Sequence, residues 1–501
     1  MMIRTFRRAV GALARPIAIA AMLMSVSRAL DAQGAEPLRF TLQQAIARAT
    51  EQGLTASAAR ATRDAARQRD RAFGAGLMPQ LVLTGNVPSY NRSIVPVFDP
   101  AQDVTVYRPQ EQNESALTMN LSQRLPFVGG DLFVSSGLSR LDALRASAQA
   151  WNRTYSSTPL TVGIRQDLFR PNRLKWDARQ QDLRAESAER TYREAMEEVA
   201  IATANTFFDY YTAKLALENA ATNAAVNDTL FSLNKGRFDV GKIGENDLLQ
   251  SELALLRARV ALDGARLEHD RTLAALRLAL NLATGAAVEV IVTNEIPEVE
   301  ADTALAVAQA MRNRASMVDL EMQQVQAERT VAEARFGTGP GATLNASMGF
   351  NQTAGVLDSA YRDLHDAQRF NLSVSMPLVQ WGGRGANIQA ARLDGQRVER
   401  TSRQAREQLA LDAHFAALGL AQARRSLAIA AKADTVGSKR FEVTKNRYVI
   451  GRIGMDNLYQ AQSEKDAALL AYLQALRGYW VAHYRLRRVT MYDFVAGVTI
   501  R

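Results

Sequence analysis

Residues able to do covalent or metal chemistry are sparse and badly spaced in this sequence. It has no cysteine, which removes disulfides, thiolate metal ligands, a thiol nucleophile and a lipid-bearing N-terminal cysteine. The four histidines, His269, His365, His414 and His483, lie far apart, none at metal-ligand spacing from another. The run Trp381-Gly382-Gly383-Arg384-Gly385-Ala386-Asn387 has the look of a phosphate cradle, but no Gly-Lys-Ser/Thr follows it. The glycines from Gly337 to Gly341 read likewise as a helix stop. No Ser-His-Asp set or carboxylate pair stands out from the helical charge pattern. The expectation is a protein that is not an enzyme and has no metal and no cofactor.

What elements must this chain then build? Of 501 residues, 47% are hydrophobic and 22% charged, a globular balance. The formal charge is +10, yet Arg alternates with Asp and Glu along helical stretches such as 179–198. No dense basic block stands beside an aromatic platform, so these are solvated helical faces and nucleic acid is not an expected partner. At the N-terminus Arg4, Arg7 and Arg8 precede an apolar run, Ala9 to Val26, interrupted at Arg15-Pro16. Small residues follow, with an exit after Ala29 or Ala32. That order predicts an export signal over 1–32, a membrane anchor being the other reading. No later stretch holds eighteen apolar residues, so a membrane would be met at its surface or through a β-barrel.

One segment occurs twice. RFDVGKIGENDLLQSE from Arg237 and RYVIGRIGMDNLYQAQ from Arg447 lie 210 residues apart and share Arg, an aromatic, both glycines, Ile243/Ile453, Leu248/Leu458 and Gln250/Gln460. Each reads as a helix hairpin. Gly241 or Gly451 takes the left-handed C-cap, and Asn246-Asp247 or Asp456-Asn457 caps the next helix. A bulky β-branched residue at Gly244 or Gly454 is expected to strain the turn. After the first turn, Leu249, Leu253, Leu256, Val260, Leu267 and Ala274 make a coiled-coil seam.

The helices before the turns are very long. The pattern from Leu174 to Arg237 has no proline and would reach about 95 Å over about 63 residues. A second stretch from Asn387 to Arg447 resembles it. Before each lie alternating segments: LTVGIRQDLFRPNRLKW from Leu160 and LSVSMPLVQWGGRG from Leu372, preceded by LMPQLVLTGNV from Leu77 and GPGATLNASMGF from Gly339. The first half carries some 51 more residues here, with an extra β-hairpin at about 110–140 on either side of Gly129. Tyr90, Phe98, Tyr107, Phe127, Phe133, Trp151, Tyr155, Phe169 and Trp176 cluster there, as Tyr361, Phe370 and Trp381 do in the second half. Aromatics bracketing alternating strands suit the girdles of a membrane barrel, or the core of a soluble sandwich.

The chain therefore divides into a signal (1–32), a first repeat (38–285), a linker or equatorial segment (286–301), a second repeat (302–486) and a tail (487–501). Arg-aromatic-x-x-Gly-x-x-Gly-x-x-x-Leu-x-Gln resembles the periplasmic tip turn of the TolC-like outer-membrane efflux family. Ser375-Met376-Pro377-Leu378-Val379-Gln380-Trp381-Gly382-Gly383-Arg384 resembles its strand-to-helix passage. The likeness spans roughly 38–495. It implies a mainly α fold with a membrane β-barrel: duplicated long-helix hairpins forming a trimeric α-barrel tunnel below a shared β-barrel. It further implies a homotrimer in outer-membrane lipid, reaching through the periplasm. Such a channel would be the exit duct of a tripartite efflux or type I secretion system. A periplasmic adaptor (membrane fusion) protein and, through it, an inner-membrane pump are the implied partners. On the residues alone, a soluble periplasmic coiled-coil scaffold remains open.

By position, the resemblance puts Gly241, Lys242, Gly244, Gly451, Arg452 and Gly454 in the adaptor-docking turns. It puts Asp247, Tyr448, Asp456, Asn457 and Gln460 at the tip gate. In some members of the family a closing contact joins an aspartate of the first turn to a tyrosine and an arginine by the second. Asp247 and Tyr448 match, while the arginine position holds Ile453. The positions of narrowing carboxylate rings hold Asn457 and Gln460, so the constriction would either be weaker or be made by Asp247 and Asp456 instead. Four strands in the first half and two in the second would give eighteen in a trimer; twelve follow if the insert is an extracellular loop. The proline-rich stretch from Pro88 to Pro109 favours the loop.

Overall fold

A capping box starts the first helix: the Gln44 amide donates to Thr41 Oγ1 at 3.3 Å, and the Thr41 amide donates to Gln44 Oε1 at 3.0 Å. The structure, a computed structural model, describes residues 38–99, 101–145, 150–292, 297, 299–450 and 452–500. The export signal expected at 1–32, Gly451 and part of the 286–301 segment lie outside the described residues.

Helix lengths repeat. α1 (Leu42–Gln52) and α2 (Leu54–Gly76) have 11 and 23 residues, as do α5 (Thr303–Asn313) and α6 (Ala315–Gly337). α3 (Arg173–Asp239) and α7 (Gly383–Val449) have 67 residues each. At 1.5 Å per residue each rod is about 100 Å long. α4 (Glu245–Ala279) and α8 (Met455–Thr490) return with 35 and 36. Four matched lengths in the same order show the helical part to be duplicated.

The sheet is not. β2 (Gln80–Asp99), β3 (Val104–Leu125), β4 (Gly130–Arg145) and β5 (Ala150–Leu168) precede α3, whereas β7 (Gly341–Ala354) and β8 (His365–Ser375) precede α7. All six join one antiparallel sheet in the order β2-β3-β4-β5-β7-β8. The expectation of an irregular loop over Pro88–Pro109 is therefore corrected: β2 and β3 pair as far as Asp99↔Val104. Proline is tolerated because it needs a place without a ladder donor. β2 is an edge strand, Pro88 falls in a bulge between Asn86 and Ser89, and Pro109 lies beyond the β3–β4 pairing, which begins at Gln112.

Register sorts the two faces of the sheet. Leu81 and Leu83 pair with Leu121 and Met119, Leu121 with Val134, Val134 with Val162, Val162 with Met348, and Leu344 with Leu372, all on one side. The other side carries Thr84↔Thr118, Asn120↔Ser135, Ser135↔Thr161, Arg165↔Asn345 and Ser347↔Arg369. The apolar side is uncovered; Met348 is 64% exposed. A soluble sandwich would pack that side against a second layer, whereas a membrane barrel turns it to lipid and its polar side to water. Among the described residues no helix is long and apolar enough to cross a membrane.

The main core sits half way along the rods. Phe207 and Phe208 of α3, Leu420 and Leu427 of α7 and Leu476, Tyr479 and Trp480 of α8 pack there with Ala45 and Ala49 of α1. The parallel pair β1 (Leu38–Thr41) and β6 (Val288–Ile291) also joins this belt. A short hairpin, β9 (Tyr492–Asp493) and β10 (Val498–Thr499), ends the chain.

The coiled-coil seam expected on α4 is not packed within the protomer. Leu249, Leu253, Leu256, Val260 and Leu267 are exposed, the last two at 73%, while Ser251, Leu255, Thr272 and Leu276 face inward. α7 bears a similar outward heptad stripe at Phe415, Ile429, Val436 and Val443. Heptad spacing reports that a stripe wants a partner, not which chain supplies it.

Candidate functional site at the helix tips

Each rod ends at the far end from the sheet in the same backbone bond. The Lys242 amide donates to the Arg237 carbonyl at 2.9 Å, and the Arg452 amide to the Arg447 carbonyl at 3.0 Å. Gly241 sits at φ +69°, the left-handed C-cap expected of it. The next helices begin otherwise than expected. Gly244 and Gly454 are themselves the N-caps, at φ −78° and −76° with extended ψ. Asn246, Asp247, Asp456 and Asn457 lie inside the first turns, where the carboxylates meet the positive helix ends. The backbone at Gly244 and Gly454 is ordinary, and a Cβ there would meet open space. Strain on substitution thus belongs to Gly241.

Leu230, Tyr448, Met455 and Leu458 form a small buried cluster under the turns, flanked by Val226, Phe441, Ile453 and Tyr459. The Tyr448 hydroxyl donates to Asn234 Oδ1 at 3.1 Å, and Asn234 is 1% exposed. The Arg237 guanidinium lies 5.7 Å from the Tyr448 ring centre. A cation thus reaches Tyr448 from the first repeat, while Ile453 packs as an apolar residue. Burial pushes the Tyr459 phenol up to about 12. Gln250 Nε2 donates to Asp456 Oδ1 at 2.9 Å, joining the starts of α4 and α8. Gln460 donates to Glu464 along its own helix at 3.1 Å.

Of the residues named from the sequence, the structure brings Tyr448 and Asp456 into contacts between helices. Asp247, Lys242, Arg452, Asn457 and Gln460 are exposed, and Tyr448 turns to Asn234 rather than Asp247. Asn234, Arg237 and Gln250 are the partners that sequence reading missed as such. Arg237 and Gln250 lay within the repeated motif; nothing marked Asn234, whose counterpart 210 residues on is Thr444.

Residues 110–282 match the outer membrane efflux protein family, a span from β3 through the first tip to just past the end of α4. The whole shape matches the Campylobacter jejuni CmeC outer membrane channel at a TM-score of 0.64 and 15% identity, over 90% of this chain and 85% of that one. It matches the outer membrane protein VceC from Vibrio cholerae at 0.63 and 15%, over 90% and 95%. The Neisseria gonorrhoeae MtrE outer membrane channel in its open state gives 0.62 and 15%, over 90% and 88%. No curated protein matches the sequence.

By fold the chain is similar to TolC-like outer-membrane channels, and residues 110–282 carry the outer membrane efflux protein signature.

In the TolC-like arrangement the apolar sheet face belongs in the outer membrane and the rods extend into the periplasm. The matched family and the similar structures are channels, not enzymes. Above the tips a groove of about 840 Å³ lies between α3, α4 and α8. Asn219 and Asn223 donate to Asp466 across it at 2.8 and 2.9 Å, and Lys465 donates to Asn219 at 2.9 Å. The amide oxygens of Asn227 and Gln462 are buried beside it without a partner. Among the described residues no group of three or more His, Asp or Glu could hold a metal ion.

Proposed function

We propose that the protein is a homotrimeric exit duct. It passively conducts substrates delivered by an inner-membrane pump through a periplasmic adaptor, as one part of a tripartite efflux or type I secretion system. The observation that carries the reading is the continuity of one sheet, apolar outside and polar inside, with rods of 67 residues. A single six-stranded sheet has two free edges, β2 and β8, and lipid tolerates none. Three copies would close the edges into a barrel, eighteen strands from three sets of six. The outward stripes on α4 and α7 would meet between neighbouring copies, a heterologous contact that closes as a ring.

The repeats at 38–285 and 302–486 would then each give one hairpin to the tunnel. Gly241, Lys242, Gly244, Gly451, Arg452 and Gly454 would face the adaptor. The gate would consist of Tyr448 and Asp456 with their partners Asn234 and Gln250, while Asp247, Asn457 and Gln460 would line the end. Opening would separate α4 from α8 at the Gln250–Asp456 bond and splay the turns.

The test is purification with and without detergent, then conductance in planar bilayers. A trimer extracted only by detergent, heat-modifiable on gels and conducting in single steps, one pore per trimer, supports the duct. A monodisperse monomer free of detergent would make it a soluble scaffold. Leu256→Asp with Val260→Asp should abolish the trimer while leaving the protomer's own core intact.

A further inference from the structure

The part of the insert beyond Gln112 is a two-stranded ribbon with unlike faces. Tyr90, Arg92, Ile94, Pro96 and Phe98 share one face with their cross-strand partners, among them Tyr107 and Pro109. Ile94 is 70% and Tyr107 74% exposed, and Tyr90 and Phe98 are more than half exposed. Asn91, Ser93, Gln110 and Gln112 occupy the other face near the wall, with Val95 and Val106, both half-buried, farther out. The ribbon is nine residues long past Tyr90, about 30 Å at strand rise. β4 does not pair with β3 along it, and β8, with 11 residues against 20 in β2, is too short to cover its other edge.

Side-chain parity decides where the aromatic face points. In the barrel wall Leu81 and Leu83 face lipid, and the even positions Val82 and Thr84 face the lumen. Simple alternation would carry Tyr90, Ile94 and Phe98 to the lumen side. The bulge takes three residues of β2, Asn86 to Ser89, against two of β3, Ala116 to Glu114. One extra residue reverses the parity. The ribbon's aromatic face therefore continues the lipid-facing belt of Leu117, Met119 and Leu121, past the point where strand length has crossed the hydrocarbon.

Apart from the Arg92–Glu111 ion pair nearest the wall, this face is apolar and exposed, so it needs cover, and direction selects it. Leaning inward over the mouth would turn this face up to water. Leaning outward turns it down onto the leaflet. Given the outer-membrane reading above, we infer that the ribbon leans away from the barrel mouth and lays Tyr90, Ile94, Phe98 and Tyr107 into the headgroup–acyl boundary of the outer leaflet. It is a peripheral lipid anchor on each copy. Aromatic and apolar residues at that depth are the usual residents of the interface.

Because the chain has no cysteine, single sites can be labelled uniquely. Phe98→Cys, Ile94→Cys, Ser93→Cys and Leu83→Cys are each given a nitroxide in the full chain reconstituted into phosphatidylethanolamine–phosphatidylglycerol bilayers. Accessibility to oxygen, which concentrates in lipid, is compared with that to a water-soluble nickel chelate. The anchor requires the balance at 94 and 98 to shift towards oxygen and that at 93 to stay with nickel. Equal nickel access at 93 and 98 means a ribbon standing in water and overturns it. Exclusion of both probes at 98 means cover by protein, such as a second trimer, and also overturns it. Leu83 reports separately on the barrel: loss of oxygen access there overturns the membrane reading itself.

Discussion

Tyr448 of α7 and Asn234 of α3 are bonded to each other, hydroxyl to amide oxygen at 3.1 Å, inside the only buried cluster described near the tips. The two rods are thereby tied across the repeats. Removing the hydroxyl leaves the Asn234 amide oxygen buried without its donor, a cost of about 1–3 kcal/mol. Tyr448→Phe and Asn234→Leu should both raise basal conductance in planar bilayers. Asp247→Asn should not, since Asp247 is exposed and away from this bond. A leak with Asp247→Asn and none with Tyr448→Phe would reverse the assignment.

Two glycines of one turn should respond differently. Gly241 holds φ +69°, so Gly241→Ala costs about 1–2 kcal/mol of turn stability. Gly244 is an N-cap with extended backbone and free space, so Gly244→Ser should be neutral or mildly stabilising. Hydrogen exchange of the tip amides would report the difference. Equal loss of protection in both variants would contradict it.

Neighbouring residues on β7 separate the two sheet faces. Met348 lies on the apolar side and Ser347 on the polar side. Met348→Arg should cost about 2–4 kcal/mol at mid-bilayer and reduce the heat-modifiable trimer. Ser347→Arg should assemble normally and alter conductance. If the positions behaved alike, the sheet would not be a membrane wall.

His483 gives the equatorial belt a pH dependence. It is 5% exposed between Trp480 and Tyr484; burial, with Arg487 adding to it, lowers its pKa from 6.5 to about 4. The fold thus favours the neutral ring. Its contribution is complete above pH 6.5 and is lost as pH falls towards 4, on the order of 3 kcal/mol in all. Glu197, ion-paired with Arg487, works the other way, since desolvation raises its pKa and the folded state takes its proton more readily. His483→Phe keeps a ring in place without the titration. Its melting temperature should fall less than that of the parent between about pH 7 and about pH 5. Parallel profiles would remove His483 from the account.

What was legible in the sequence was what periodicity and duplication encode. Gly241 announced the end of α3, and the absence of proline announced its length. Leu81, Leu83 and Met119 alternated as a barrel wall must. The heptads at Leu256 and Val260 were visible, but a stripe carries no address, and they point out of the protomer. Pro88 and Pro109 suggested a loop because proline is read as a breaker without knowing which strands are edges. Asn234 was invisible for another reason. A buried amide meeting a tyrosine from 214 positions away leaves no local pattern.

The halves of this chain agree in helix length to within one residue and disagree in strand number, four against two. Barrel diameter grows roughly in proportion to strand number, so eighteen strands would enclose a bore about half as wide again as twelve. Each protomer still sends only two helix hairpins down to the tips. The molecule would therefore be a funnel, widest where it meets the outside world. Its throughput would be metered at the opposite end, where two pairs of side chains on each copy would hold the narrowest aperture.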